Sequence, residues 1–146
     1  MLLHRLNFSL LRSLHLWVGL ATLLVFLLTG QYMHWGYDHL NGMADSPRMM
    51  FRSAHIYLLW SGLLNTMLGL YLEISSKTWA KVLQCVGSLA ILLGPPLLVF
   101  AFVSEPWLTE LVRPYARPAI YIAFGGTLFH LLARWGETSR IEVDKR

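Results

Sequence analysis

The sequence is short of charge, of cysteine and of buried acid, and each shortage excludes a class of protein. Asp, Glu, Lys and Arg together make 14% of the chain, where ordinary soluble domains carry roughly a quarter. A single cysteine, Cys85, excludes an internal disulfide and a multi-cysteine metal or iron–sulfur cluster. The apolar segments hold no Asp or Glu in their interiors, Glu73 standing at a segment end. Paired carboxylates for hydrolysis are therefore missing, as are a nucleophile and base pair and an embedded acid to couple protons in transport. Low-complexity stretches and internal repeats are absent too. The net charge of +4 is spread over short loops rather than gathered into a basic face, which argues against nucleic acid as a partner.

What the chain has in abundance is apolar sequence: 55% hydrophobic residues and a mean hydropathy of +0.50. Both point to a lipid-embedded, all-α protein, with the bilayer as its first partner. Residues 1–146 divide as one four-helix domain with spans at about 13–35, 51–74, 79–103 and 117–135. Arg5 and Arg12 ahead of the first apolar run begin as a signal peptide does. The run is too long for a signal h-region and is closed by no small-residue cleavage site, so it reads as a retained span. Pro95 and Pro96 remove backbone donors in the third span and predict a kink. Ser104, Glu105 and Pro106 predict a capped interfacial helix over about 105–112. The tail after Arg134 mixes both signs of charge and reads as solvated, with little structural weight.

Orientation follows from the basic residues. Arg5, Arg12, Lys77, Lys81, Arg134, Arg140, Lys145 and Arg146 fall at one end of the predicted spans, against Arg48, Arg52, Arg113 and Arg117 at the other. The rule that cytoplasmic loops collect Lys and Arg then predicts an up-down bundle with both termini cytoplasmic, multi-pass, in the inner or plasma membrane if the chain is bacterial. Trp35, Trp79, Trp107 and Trp135 each stand at a predicted span end, where amphipathic rings belong.

Against this apolar ground the histidines stand out, because an ionisable group within a span needs a reason to be there. His15 lies three residues past Arg12, roughly 4.5 Å along the helix, and His130 four residues before Arg134, roughly 6 Å. The two imidazoles should share one depth. Each has a glycine one turn toward the membrane centre on its own face, Gly19 for His15 and Gly126 for His130. Two imidazoles on opposite sides of one iron leave nitrogens about 4 Å apart, and bare helix surface at the glycines would clear space for a macrocycle. A second pair is suggested by His34, with Gly30 one turn inward, and by His55, whose face carries Gly62 and Gly69 with Asn65 at its edge. Asn65 itself reads as an interhelical hydrogen-bonding residue. His4 and His39 fall in solvated segments.

The first span also resembles a known pattern. RSLHLWVGLATLLVFLLTG, with Arg12, Leu14, His15, Trp17, Gly19, Leu28, Thr29 and Gly30, is similar to the opening helix of the PepSY-associated transmembrane family and to that of b-type cytochrome subunits of membrane hydrogenases and formate dehydrogenases. The resemblance covers about 20 of the 146 residues and implies a haem-binding, electron-carrying membrane protein with His15 as an axial ligand. Unlike the PepSY proteins, this chain has no large domain between its first two spans.

The reading that follows is a small membrane b-type cytochrome holding one haem b, or two, through His15 and His130 and through His55 and His34. Its partners would be a quinol or a redox protein and other membrane subunits, and any enzymatic role would be redox. The runner-up is a non-catalytic accessory or assembly subunit. A transporter using Asn65 and the proline break ranks below both, and the motifs of the small four-helix protoporphyrinogen oxidases do not map onto the chain.

Overall fold

The computed structural model describes the backbone of residues 2–108 and 112–143 and the side chains of 9–108 and 112–135. Among these residues the chain is helical with no strand. Helix α1 covers Leu2–Gln31 and runs into a π-helical turn, Tyr32–Gly36. A 3-10 turn follows at Asp38–Leu40, then α2 at Asp45–Tyr71, α3 at Thr78–Ser104, a second 3-10 turn at Glu105–Trp107, and α4 at Ala116–Val143. Two of these stretches, Ser9–Gly36 and Thr78–Trp107, are long and apolar enough to cross a membrane.

Several boundaries differ from the sequence expectation. Helix α2 begins at Asp45 rather than near Phe51, because Asp45 and Pro47 both suit a first helical turn, one by complementing the dipole and the other by its fixed φ. The interfacial helix expected over 105–112 is instead the short turn Glu105–Trp107, after which Leu108 is extended and residues 109–111 lie outside the described set. Ser104 bonds back to Phe100 O rather than capping that turn. Helix α3 runs without interruption through Pro95 and Pro96, where the sequence predicts a kink. Helix α4 continues past Arg134 to Val143.

The helices form two antiparallel hairpins. Helix α1 packs along α2 and α3 along α4, the hairpins meet chiefly through α2 and α3, and α1 and α4 make little backbone contact. Glycine sets the close approaches. A methyl added at Gly19 would stand 2.5 Å from the backbone of Thr66, and one at Gly69 2.5 Å from Leu16 N. Gly87 and Gly126 face each other's carbonyls at 2.7 and 2.5 Å in the same sense. Small residues allow such backbone approach between helices.

Both ends are tied by polar side chains. At the end bearing the termini, Arg12 donates to Leu70 O at 2.7 Å, satisfying one of the carbonyls that the last turn of α2 leaves open. In the α2–α3 loop, buried Gln84 accepts from Ser75 N–H at 2.9 Å and donates to Glu73 O at 2.8 Å. At the far end, fully buried Glu105 accepts from the N–H groups of Tyr115 and Ala116 at 2.9 and 2.8 Å, a carboxylate on the positive end of α4. The far-end core is apolar and aromatic, with Leu40, Phe51, Ala54, Leu58, Leu98 and Phe102 among its buried members. Asp38, His39 and Leu40 have φ of 44, 58 and 65°. Left-handed backbone costs an L-residue roughly 1–2 kcal/mol, and this turn is held by the burial of Leu40.

Candidate functional site

Nearer the termini, the interior is polar. His15, Ser61, Asn65 and Ser88 are fully buried and His130 nearly so. Contacts between neighbouring helices link them: Leu16 abuts Gly69 on α2, Ser61 of α2 lies 3.4 Å from where a methyl on Gly94 of α3 would sit, and Ser88 of α3 meets His130 of α4. Both rings are turned into the helical interior.

The protonation pattern of His15 follows from its neighbours. Asn65 Nδ2 donates to Ser61 O at 2.9 Å, which directs the amide oxygen toward His15, 2.8 Å from Nδ1. An amide oxygen only accepts, so Nδ1 carries the ring proton and Nε2 holds the lone pair. That Nε2 is buried and has no hydrogen-bond partner. A histidine whose outer nitrogen donates to a carbonyl while the other is left bare is the arrangement that metal-ligating histidines adopt. On α4, His130 Nε2 lies 3.2 Å from Ser88 Oγ.

His55 repeats the pattern nearer the far end. Thr29 Oγ1 donates to Phe26 O at 2.8 Å, so the contact of 2.9 Å between Thr29 Oγ1 and His55 Nδ1 is donated by the ring. The imidazole stacks on Phe26 at 4.1 Å between centroids, and Gly30 leaves room for its Cε1 edge. An apolar cleft of about 490 Å³, lined in part by Thr29, Tyr32, Phe51, Phe102 and Trp107, opens beside it. His34 is exposed, and its Nδ1 lies 2.7 Å from His39 Nε2. The structure thus gives His55 and His34 different neighbours.

The glycines also have partners the sequence did not indicate. Gly19 and Gly126 were expected to leave open surface beside their histidines, but their bare faces are filled by Thr66 and Gly87 backbone. Helices α1 and α4, which carry His15 and His130, are the pair that makes little backbone contact. Ser61 and Ser88 are members that sequence reasoning missed. Isolated Ser and Thr in apolar helices usually bond their own backbone, as Thr22 and Thr66 do here, so nothing in the sequence singles them out.

The donor set suits a macrocycle better than a bare ion. Among the described residues no three His, Cys, Asp or Glu side chains gather, whereas a porphyrin brings its own four nitrogens and asks the protein for axial ligands alone. No known protein family matches the chain, and neither a curated protein nor a solved structure is detectably similar to it.

Proposed function

We propose that this protein crosses the membrane four times, with both termini on the cytoplasmic side, and carries electrons through one haem b held between His15 and His130. The observation that carries the reading is His15, whose Nδ1–H is committed to Asn65 and whose Nε2 lone pair is buried without a partner. A bare lone pair at that depth costs free energy unless something takes it up. Four spans are supported by the exposed apolar side chains on α2 and α4 as well as on the two more hydrophobic helices, Leu63, Met67 and Leu70 on the one and Tyr121, Phe124 and Leu131 on the other. The resemblance of the first span points the same way.

When bound, haem supplies reversible one-electron transfer. The protein's own part is to hold two neutral imidazoles away from water. Asn65 fixes the His15 tautomer and, by accepting from Nδ1–H, makes Nε2 the more basic ligand. Ser88 keeps the His130 ring turned inward. The apolar cleft lined by Thr29, Tyr32, Phe51, Phe102 and Trp107 offers an entry for a quinol as donor.

The test is a reduced-minus-oxidised spectrum of the purified protein in detergent. A sharp alpha band and a shifted Soret band are expected, with haem lost in His15→Ala and the six-coordinate signature lost in His130→Ala. A six-coordinate spectrum in the latter would remove His130 from the site. A second reading, an accessory subunit that docks other membrane proteins, is favoured by the glycine faces being filled with helix backbone. A featureless spectrum at full protein recovery would select it.

A further inference from the structure

The far end of the molecule carries a second pocket, of about 240 Å³, lined by Tyr57 of α2, by Arg113 just ahead of α4 and by Arg117, Ile120 and Tyr121 in its first turns. We propose that this pocket binds a phosphate group, and that the source of the group is the headgroup of an anionic membrane lipid. The proposal rests on the membrane-spanning part of the function proposed above and not on the haem.

The argument begins with charge. The N-terminus of α4 presents about half a positive charge, and Arg113 and Arg117 add two more at the same place. Cations at a helix N-terminus are unfavourable there, and the one carboxylate facing them among the described residues is Glu105. Its Oε1 is already taken by the N–H groups of Tyr115 and Ala116, and its Oε2 stays 3.9 Å from Arg113 Nε, beyond hydrogen-bonding reach. One carboxylate thus answers two guanidiniums and a helix end, leaving a net positive pocket.

Donors are also left over. Arg113 is positioned by Ser53 Oγ, by Met50 O at 3.4 Å and by the Tyr57 ring at 5.8 Å, yet its Nε is buried with no acceptor. Arg117 has no hydrogen bond or ion pair with any described residue. Two guanidiniums and the tyrosines of one pocket form a fork of N–H and O–H donors suited to phosphate oxygens, which accept bidentate pairs from arginine. The pocket lies at the same end as Trp107 and Trp35, both exposed, the level at which lipid headgroups stand.

The experiment uses the full chain in nanodiscs made from an equal mixture of phosphatidylcholine and phosphatidylglycerol, released for native mass spectrometry. The wild type is expected to retain phosphatidylglycerol over phosphatidylcholine by about tenfold, and Arg117→Gln to lose that preference while keeping the wild-type melting temperature. Arg117 is chosen because Arg113 also holds Ser53, so Arg113→Gln tests folding as well as binding. Tyr121→Phe provides a second variant that leaves the packing intact. Inorganic phosphate added in detergent distinguishes the source. If lipid retention is unselective but phosphate raises the melting temperature and Arg117→Gln abolishes the rise, the pocket takes free phosphate. Unselective retention with no effect of phosphate overturns the proposal.

Discussion

The two halves of the helical core are built on opposite rules. The far half packs large side chains on one another: Phe51 meets Phe102 at 5.1 Å and Trp107 at 5.7 Å between ring centroids, above Leu58 and Leu98. The half nearer the termini packs backbone on backbone at Gly19, Gly69, Gly87 and Gly126 and fills the remaining interior with His15, Asn65, Ser61, Ser88 and His130. Large rings can tilt to absorb a change, whereas two main chains in contact cannot. Close approach also leaves little room for water, so polar groups there must satisfy one another. Most do, and the exceptions in this half are His15 Nε2 and Ser61 Oγ.

This contrast can be broken or sharpened by substitution. The largest effect is expected at the glycine seam. Gly69→Val drives a branched side chain into Leu16 backbone and should cost about 3 kcal/mol or more, read as loss of folded monomer in a detergent unfolding titration. Phe51→Ala removes the ring at the centre of the far half and should cost about 3 kcal/mol, but with a folded protein remaining at low denaturant. Glu105→Ala strands two N–H groups at the start of α4 and should cost about 2 kcal/mol, visible as faster amide exchange in the first turn of α4. Asn65→Leu should cost only about 1 kcal/mol of stability, as single interhelical hydrogen bonds do in membranes. Its signature is the His15 ring, which nitrogen NMR should show losing its fixed tautomer. Gly125→Ala is the control for the seam: no atom lies within 4 Å of the added methyl, and stability should stay within about 1 kcal/mol of wild type.

The sequence made the polar half partly readable because its markers are rare residues. His15, His130 and Asn65 stand out in apolar helices, and all three are buried in the packed helices. The glycines were visible at helical spacing, yet spacing gives the face a residue lies on and not what comes to cover it. Thr66 and Gly87, which fill the faces of Gly19 and Gly126, could be identified only from the packed hairpins. Glu105 was misread for a related reason. Its neighbours Ser104 and Pro106 suit the start of a local helix, whereas its carboxylate serves a helix that begins at Ala116. His34 and His39 were assigned to different settings, and it is the left-handed turn at Asp38–Leu40 that folds the second back onto the first.

The pairing of α1 with α2 and of α3 with α4 makes each hairpin a unit that is closed by its own glycines before it meets the other. The first half of the chain can close on itself while the second is still being synthesised, so late assembly is reduced to the docking of two preformed plates. Severing the peptide between Lys77 and Thr78 should then yield two fragments that find each other when co-expressed.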